Sequence, residues 1–178
     1  MSEENTTYER LINWLDENDA RYELIDHQPE GKTDVVSGYR GHPVEQAAKC
    51  IIVMMKLTKK TKRYVLAVVP GNKRVDLSAL KGLYGGIYAG FVENATAESL
   101  AGSVSGTVLP FAFNGEVELL VDPGMLKHEY IYFNAARLDR SLRLHSDDYE
   151  RLAAPRVESI AEDEPSHVSE HGGADRQA

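Results

Sequence analysis

The sequence predicts an α+β fold, arranged as a helix-and-sheet layer or a partly closed mixed sheet. Two runs of strand length, residues 50–55 and 64–69, are apolar at odd and even positions alike, as in strands buried on both faces. The helical patterns between the strands are short and fall without a regular β-α-β period or internal repeat, which disfavours a doubly wound sheet. A chain of 178 residues, 42% hydrophobic, suggests one domain with a proper core.

The elements follow in order. Thr6 and Glu9 form a capping-box pattern ahead of Tyr8, Leu11, Ile12 and Leu15, which share one helical face. Residues 22–25 read as a short strand. Residues 27–41 are rich in Gly, Pro and polar residues, with Thr33 placed to cap a short helix through Val35 and Val36. The two long strands are joined by residues 56–63, a hairpin with a basic tip. Residues 76–83 fit a short helix on Leu77 and Leu80, residues 82–90 a flexible glycine-rich stretch, and residues 95–100 another helical turn or two. A small-residue loop runs from Gly102 to Pro110. Strands are expected at 117–121, 130–133 and 141–144, and a last helix from Asp147. The domain is expected to end at residue 160, leaving 161–178 as a polar, acidic, disordered tail.

Charge and composition narrow the functional classes. No apolar segment reaches the ~20 residues needed to span a bilayer. The polar, acidic start is no secretory signal, and a lone cysteine, Cys50, excludes an internal disulfide, so the cytoplasm is the expected compartment. The net charge of −8 is uneven: residues 162–178 carry −4 of it, whereas residues 56–81 hold eight bases against Asp76 alone. A basic tract of this kind can contact phosphates or simply be solvated.

Lys49 is the residue that demands a reason. Alternation puts it on one face with Ile51, Val53 and Met55, where an ammonium must reach water, an anion or an acceptor. At the strand end it can snorkel to solvent. The loop from Gly102 to Pro110 can offer backbone N–H groups to a carbonyl, or be an ordinary loop. Cys50 points to the opposite face and reads as core. Among the histidines only His167 and His171 have metal-ligand spacing, and they lie in the expected tail, so no metal and no cofactor is expected.

In order, His27-x-Pro29 with Thr33, residues 48–53 around Lys49, the 64–70 strand with Val75-Asp76-Leu77, Gly102 through Gly106 to Pro110-Phe111, Asp122-Pro123 and Ile131-Tyr132-Phe133-Asn134 form a series. This series resembles the YbaK/EbsC family of aminoacyl-tRNA deacylases, a domain also inserted in bacterial prolyl-tRNA synthetases. The resemblance spans about residues 8–160 and implies a curved mixed β-sheet with helices around it. It implies a trans-editing hydrolase of mischarged aminoacyl-tRNA, with tRNA and a synthetase as partners and no membrane. The family's lysine falls on Lys49, which would anchor the substrate. Its substrate-positioning residues fall on Thr33, Gly102, Gly106, Thr107, Pro110 and Asn134, with backbone N–H groups near Gly106 and Thr107 polarising the ester carbonyl. Two departures stand out: Thr107 replaces the second glycine of a Gly-Gly pair, and Ser141 stands where some relatives carry an acid, with Asp139 close by but out of register. These departures leave room for a non-catalytic aminoacyl- or synthetase-binding module of the same fold. A third reading, a Schiff-base lysine enzyme, would require a desolvated Lys49.

Overall fold

The computed structural model of the protein describes residues 6–165. Helix α1 (Thr7–Glu17) starts where the Thr6 side chain accepts the Glu9 N–H, and it buries Leu11 and Leu15 completely. Strand β1 (Tyr22–Asp26) leads to α2 (Thr33–Arg40). Here the expectation fails in detail: Lys32 is the N-cap and Thr33 the first helical residue, so the Thr33 hydroxyl caps nothing. Strands β2 (Ala48–Lys56) and β3 (Lys62–Pro70) form the expected hairpin, in register from Ala48–Pro70 to Lys56–Lys62.

Beyond the hairpin come β4 (Lys73–Val75), α3 (Leu77–Tyr84) capped by the Asp76 side chain, and β5 (Tyr88–Phe91). The glycine-rich stretch is therefore not a flexible connection. Gly85 closes α3 in the left-handed conformation, and residues 88–91 pair with β2. The remaining elements are α4 (Asn94–Ala101), β6 (Val117–Val121), β7 (Tyr130–Arg137), β8 (Arg140–His145), α5 (Ser146–Ala153), β9 (Arg156–Val157) and β10 (Ala161–Asp163).

The strands form a five-stranded sheet in the order β5-β2-β3-β6-β9, a three-stranded sheet β1-β8-β7 and a small pair β10-β4. The large sheet is mixed, with β2 antiparallel to β3 and β5 but β3–β6 and β6–β9 parallel. A parallel bridge between Ala47 and Tyr132 ties its edge to the three-stranded sheet. Period-two alternation assigns the core. Ile52, Leu66, Val68, Leu119 and Val121 face α1, α5 and the second sheet, whereas Val53, Met55, Val65, Ala67 and Leu120 face α3 and Ile160. Full burial of a side chain such as Leu11 contributes about 2–3 kcal/mol.

The C-terminal boundary differs from the expectation. Ile160 is fully buried, and Asp122 Oδ1 accepts the N–H groups of Ile160 and Ala161 at 2.9 and 3.0 Å. That anchor lets residues 161–163 pair with β4 as β10, so ordered structure continues past residue 160. Local polarity alone did not reveal it. The rest of the expected tail, from 166 on, lies outside the described residues, and so do His167 and His171. No helix among the described residues is long and apolar enough to cross a membrane.

At the seam of the sheets, His42 stacks on Tyr132 with ring centres 3.7 Å apart and planes 15° from parallel. Burial lowers its pKa from 6.5 to about 4; the bond to the Pro43 carbonyl opposes the shift and nearby Arg40 reinforces it. The unfolded chain therefore takes up this proton near pH 6.5 and the folded protein only near 4, so stability present above pH 6.5 is lost as the pH falls towards 4. Urea unfolding at about pH 7.5 and pH 4.5 should show a loss about 1–2 kcal/mol larger in the wild type than in His42→Gln, the half-buried ring being partly screened by solvent. Equal losses in the two proteins would contradict this assignment.

Candidate functional site

Lys49 enters β2 one residue after its start, on the face of Val53 and Met55. Its ammonium does not snorkel freely. Nζ donates to the Lys73 carbonyl at 2.5 Å and to Glu164 Oε2 at 2.8 Å, and the side chain is only 19% exposed. Two acceptors around one ammonium suit a donor, not an amine poised to attack a carbonyl. Beside it opens a cavity of about 330 Å³, lined by Lys49, Ile51, Arg74, Phe91, Val92, Asn94, Ala97, Ser105, Gly106 and Val108 among others.

Gly106 brings the small-residue loop to this cavity. The Thr107 N–H donates to the Val104 carbonyl at 3.1 Å, closing a turn in which Gly106 has φ +88°. Only glycine takes that third turn position readily. Space enforces the same choice, since a Cβ on Gly106 would lie 2.8 Å from Gly31 Cα. The turn therefore rests backbone to backbone on residue 31, a contact that spacing did not reveal.

The same turn corrects the expected pair of carbonyl donors. The Thr107 N–H is already bonded to Val104, and its hydroxyl donates to the same carbonyl at 2.7 Å. Gly106 N–H has no protein acceptor among the described residues and remains available to a ligand. Thr107 is fully buried without positive φ, so a side chain is accommodated at the position where the resemblance implied a second glycine.

The other expected residues take different places. Gly102 closes α4 in the left-handed conformation, and its carbonyl accepts the Thr7 hydroxyl at 2.5 Å, away from the Lys49 cavity. Pro110 fixes the far end of the loop by accepting the Tyr149 hydroxyl at 2.8 Å. The Thr33 methyl packs over Gly71. Asn134 lies behind the turn: its Nδ2 donates to the carbonyls of Glu30 and Gly106 at 2.9 and 3.1 Å. Its Oδ1 accepts from Arg40 Nη2 at 2.9 Å and lies 2.9 Å from Ser141 Oγ. Lys49 and Gly106 thus line the cavity, while Asn134 holds Gly106 from outside it.

Arg40 is the residue that sequence reasoning missed. An arginine at the end of a short helix is in sequence no more than a base suited to a helix C-terminus. Its Nε donates to Ser141 Oγ at 2.7 Å, and no carboxylate meets its guanidinium among the described residues. Burial lowers its pKa to about 10, so the group stays charged at neutral pH. His27 completes the network: its Nδ1 lies 2.8 Å from the Gln28 carbonyl and its Nε2 2.6 Å from Ser141 Oγ. A β-bulge just after Asn134, with Ala136 at φ 62°, marks where β7 turns to present this amide. Cys50, on the opposite face of β2 from Lys49 but also in the cavity lining, has its thiol pushed up by burial, which disfavours the thiolate a nucleophile needs.

Comparison with known proteins identifies the family. Residues 27–152 match the family model described as the aminoacyl-tRNA editing domain. The chain belongs to that family. It is 33% identical over 158 residues to the Multifunctional Ser/Thr-tRNA deacylase ProXp-y of Escherichia coli strain K12, covering 88% of this chain and 94% of the relative. The relative of that name from Escherichia coli O157:H7 gives the same figures. Among solved structures, a hypothetical protein superposes with a TM-score of 0.76 at 20% identity, over 85% of this chain and 99% of its own. A protein assigned as a trans-editing enzyme for prolyl tRNA synthetase gives 0.71 at 18%, over 88% and 97%. The curved mixed sheet expected from the sequence is the fold these neighbours share.

Removing the amide that holds the Gly106 turn tests the network directly. Asn134→Ala should destabilise the protein by about 2–4 kcal/mol in urea unfolding, because two carbonyls and a buried guanidinium lose their partner. Ser141→Ala should cost about 1–2 kcal/mol. A neutral Asn134→Ala would mean that the network does not hold the turn.

Proposed function

We propose that this protein hydrolyses the ester between an amino acid and the 3′ end of a mischarged tRNA, acting in trans after release from the synthetase. The observation that carries this reading is the shared cavity, with the Lys49 ammonium and the free N–H of Gly106 in one wall system and an apolar lining between them. An aminoacyl ester is already activated, so positioning, exclusion of water and stabilisation of the oxyanion suffice for hydrolysis. Lys49 binds the terminal phosphate or ribose and sets the ester in place. Gly106 N–H polarises the carbonyl, and Ile51, Val92, Ala97 and Val108 receive the amino-acid side chain. A water adjacent to the ester is the nucleophile, activated with help from the neighbouring ribose hydroxyl.

The relatives named Ser/Thr-tRNA deacylases suggest small hydroxylated amino acids as the substrates. Asn94 and Ser105 in the cavity lining supply polar groups suited to such a hydroxyl. The Ser105 hydroxyl donates to Glu98 Oε2 at 2.8 Å, which leaves its oxygen free to accept. A synthetase partner would supply tRNA identity.

One observation favours the second reading, a non-catalytic binding module: the Lys49 ammonium is already paired with Glu164. Turnover separates the two. Against a panel of mischarged tRNAs, the wild type should deacylate at least one, and Lys49→Ala should lower kcat/KM by about 100-fold or more. Undiminished activity in Lys49→Ala would remove the lysine from the mechanism. Absence of turnover on the whole panel, with tRNA still bound, would establish the binding module instead.

A further inference from the structure

The last described residues reach two bases, Lys49 and Arg74, that line the cavity. Their attachment is firm as far as Ala161, through buried Ile160 and the Asp122 carboxylate. Beyond that point it is ionic. Glu162 faces Arg74 at 2.7 Å, Asp163 pairs with Lys73, and Glu164 reaches Lys49 at 2.8 Å. Three successive carboxylates thus meet three bases, two of which, Lys49 and Arg74, line the cavity. Arg74 also lines an adjoining hollow with Glu162 and Phe91. Phe91 borders both spaces and is 58% exposed, although large and apolar.

We propose that Lys49 and Arg74 form a phosphate-binding tract for the single-stranded 3′ end of an RNA, with Phe91 as its stacking surface, and that Glu162 and Glu164 fill this tract in the free protein as a displaceable strap, held in addition by the Lys73–Asp163 pair on the opposite face of β4 and β10. The RNA's identity as tRNA rests on the function proposed above. Row and anion match in kind. Phosphates can take the place of carboxylates at each base, with arginine binding either in forked geometry. An exposed aromatic ring accepts any base face. The strap is built to yield, because β10 is three residues long, pairs only with β4, and is held by ion pairs at the surface, which contribute little each. It also selects. A small free anion can displace one carboxylate, whereas a strand carrying several phosphates replaces Glu162 and Glu164 together and releases counterions in doing so.

The test measures binding of a labelled acceptor-stem RNA with a single-stranded 3′ end, by fluorescence anisotropy, at about 50 and about 200 mM salt. The variant E162Q/D163N/E164Q is compared with E17Q/E129Q/E150Q, which changes the formal charge equally at distant sites. The strap variant should bind about 5-fold tighter than wild type at low salt, the size expected for three surface pairs, and the control less than about 2-fold tighter. Its salt slope should be steeper by about 2. Glu164→Gln alone, which keeps both β10 pairs, should give about a 2-fold gain, and Phe91→Ala about a 10-fold loss. Equal gains in the strap variant and the charge control would overturn the proposal, as would unchanged affinity in both. Because binding is read without turnover, a wild type that fails to deacylate would sink the hydrolase reading and leave this comparison intact.

Discussion

The structure depends on a strand pair buried on both faces. Because β2 and β3 carry apolar side chains on both faces over residues 50–55 and 64–69, each face must be covered, and the two coverings have different sources. One face meets α1, α5 and the second sheet; the other meets α3 and the returning chain at Ile160. Lys49 sits where this doubly covered strand begins. Its position is therefore set by the packing of Val53 and Met55 further along, with little freedom of its own. A substrate anchor placed in this way inherits the rigidity of the core.

Around that fixed lysine the loop had to be brought into place by different means, since a run of small residues has little apolar surface to bury. The contact between Gly31 and Gly106 brings two main chains together, and the Asn134 amide then bonds to both sides of the junction. Arg40 serves this arrangement without a carboxylate partner. Its charge is held by side-chain oxygens of Asn134 and Ser141, at the cost of a lowered pKa. An acid near Ser141 would alter that balance by giving the guanidinium a counter-charge. The serine therefore belongs to a self-consistent network, and its difference from some relatives need not weaken the pocket.

Legibility followed range. Alternation over β2 and the helical face of α1 are local patterns, and both appear where residues 50–55 and Leu11, Leu15 place them. The lysine was visible because its own neighbours made it anomalous. Asn134 was visible only by resemblance, and its direction, toward Gly106 from behind, depends on a bulge that no local pattern announces. Arg40, Gly31 and Phe91 act through partners far away in sequence, so their residue types carry no mark of the site. Residues 161–163 show the same limit: they are polar in isolation and ordered because Asp122 and Ile160 lie just before them in space.

The two acceptors on Lys49 differ in a way that bears on how such a site works. The Lys73 carbonyl belongs to the backbone of β4, while the Glu164 carboxylate belongs to an exposed side chain just past β10. A lysine side chain free in solvent loses about 2 kcal/mol of rotamer entropy when a ligand fixes it. Here the carbonyl fixes it beforehand, so an arriving phosphate need only replace a carboxylate. The exchange is anion for anion at a pre-placed donor. On the proposed exchange, a protein of net charge −8 can meet a polyanion, because the bases beside the cavity are paired with carboxylates in surface ion pairs that a phosphate can replace.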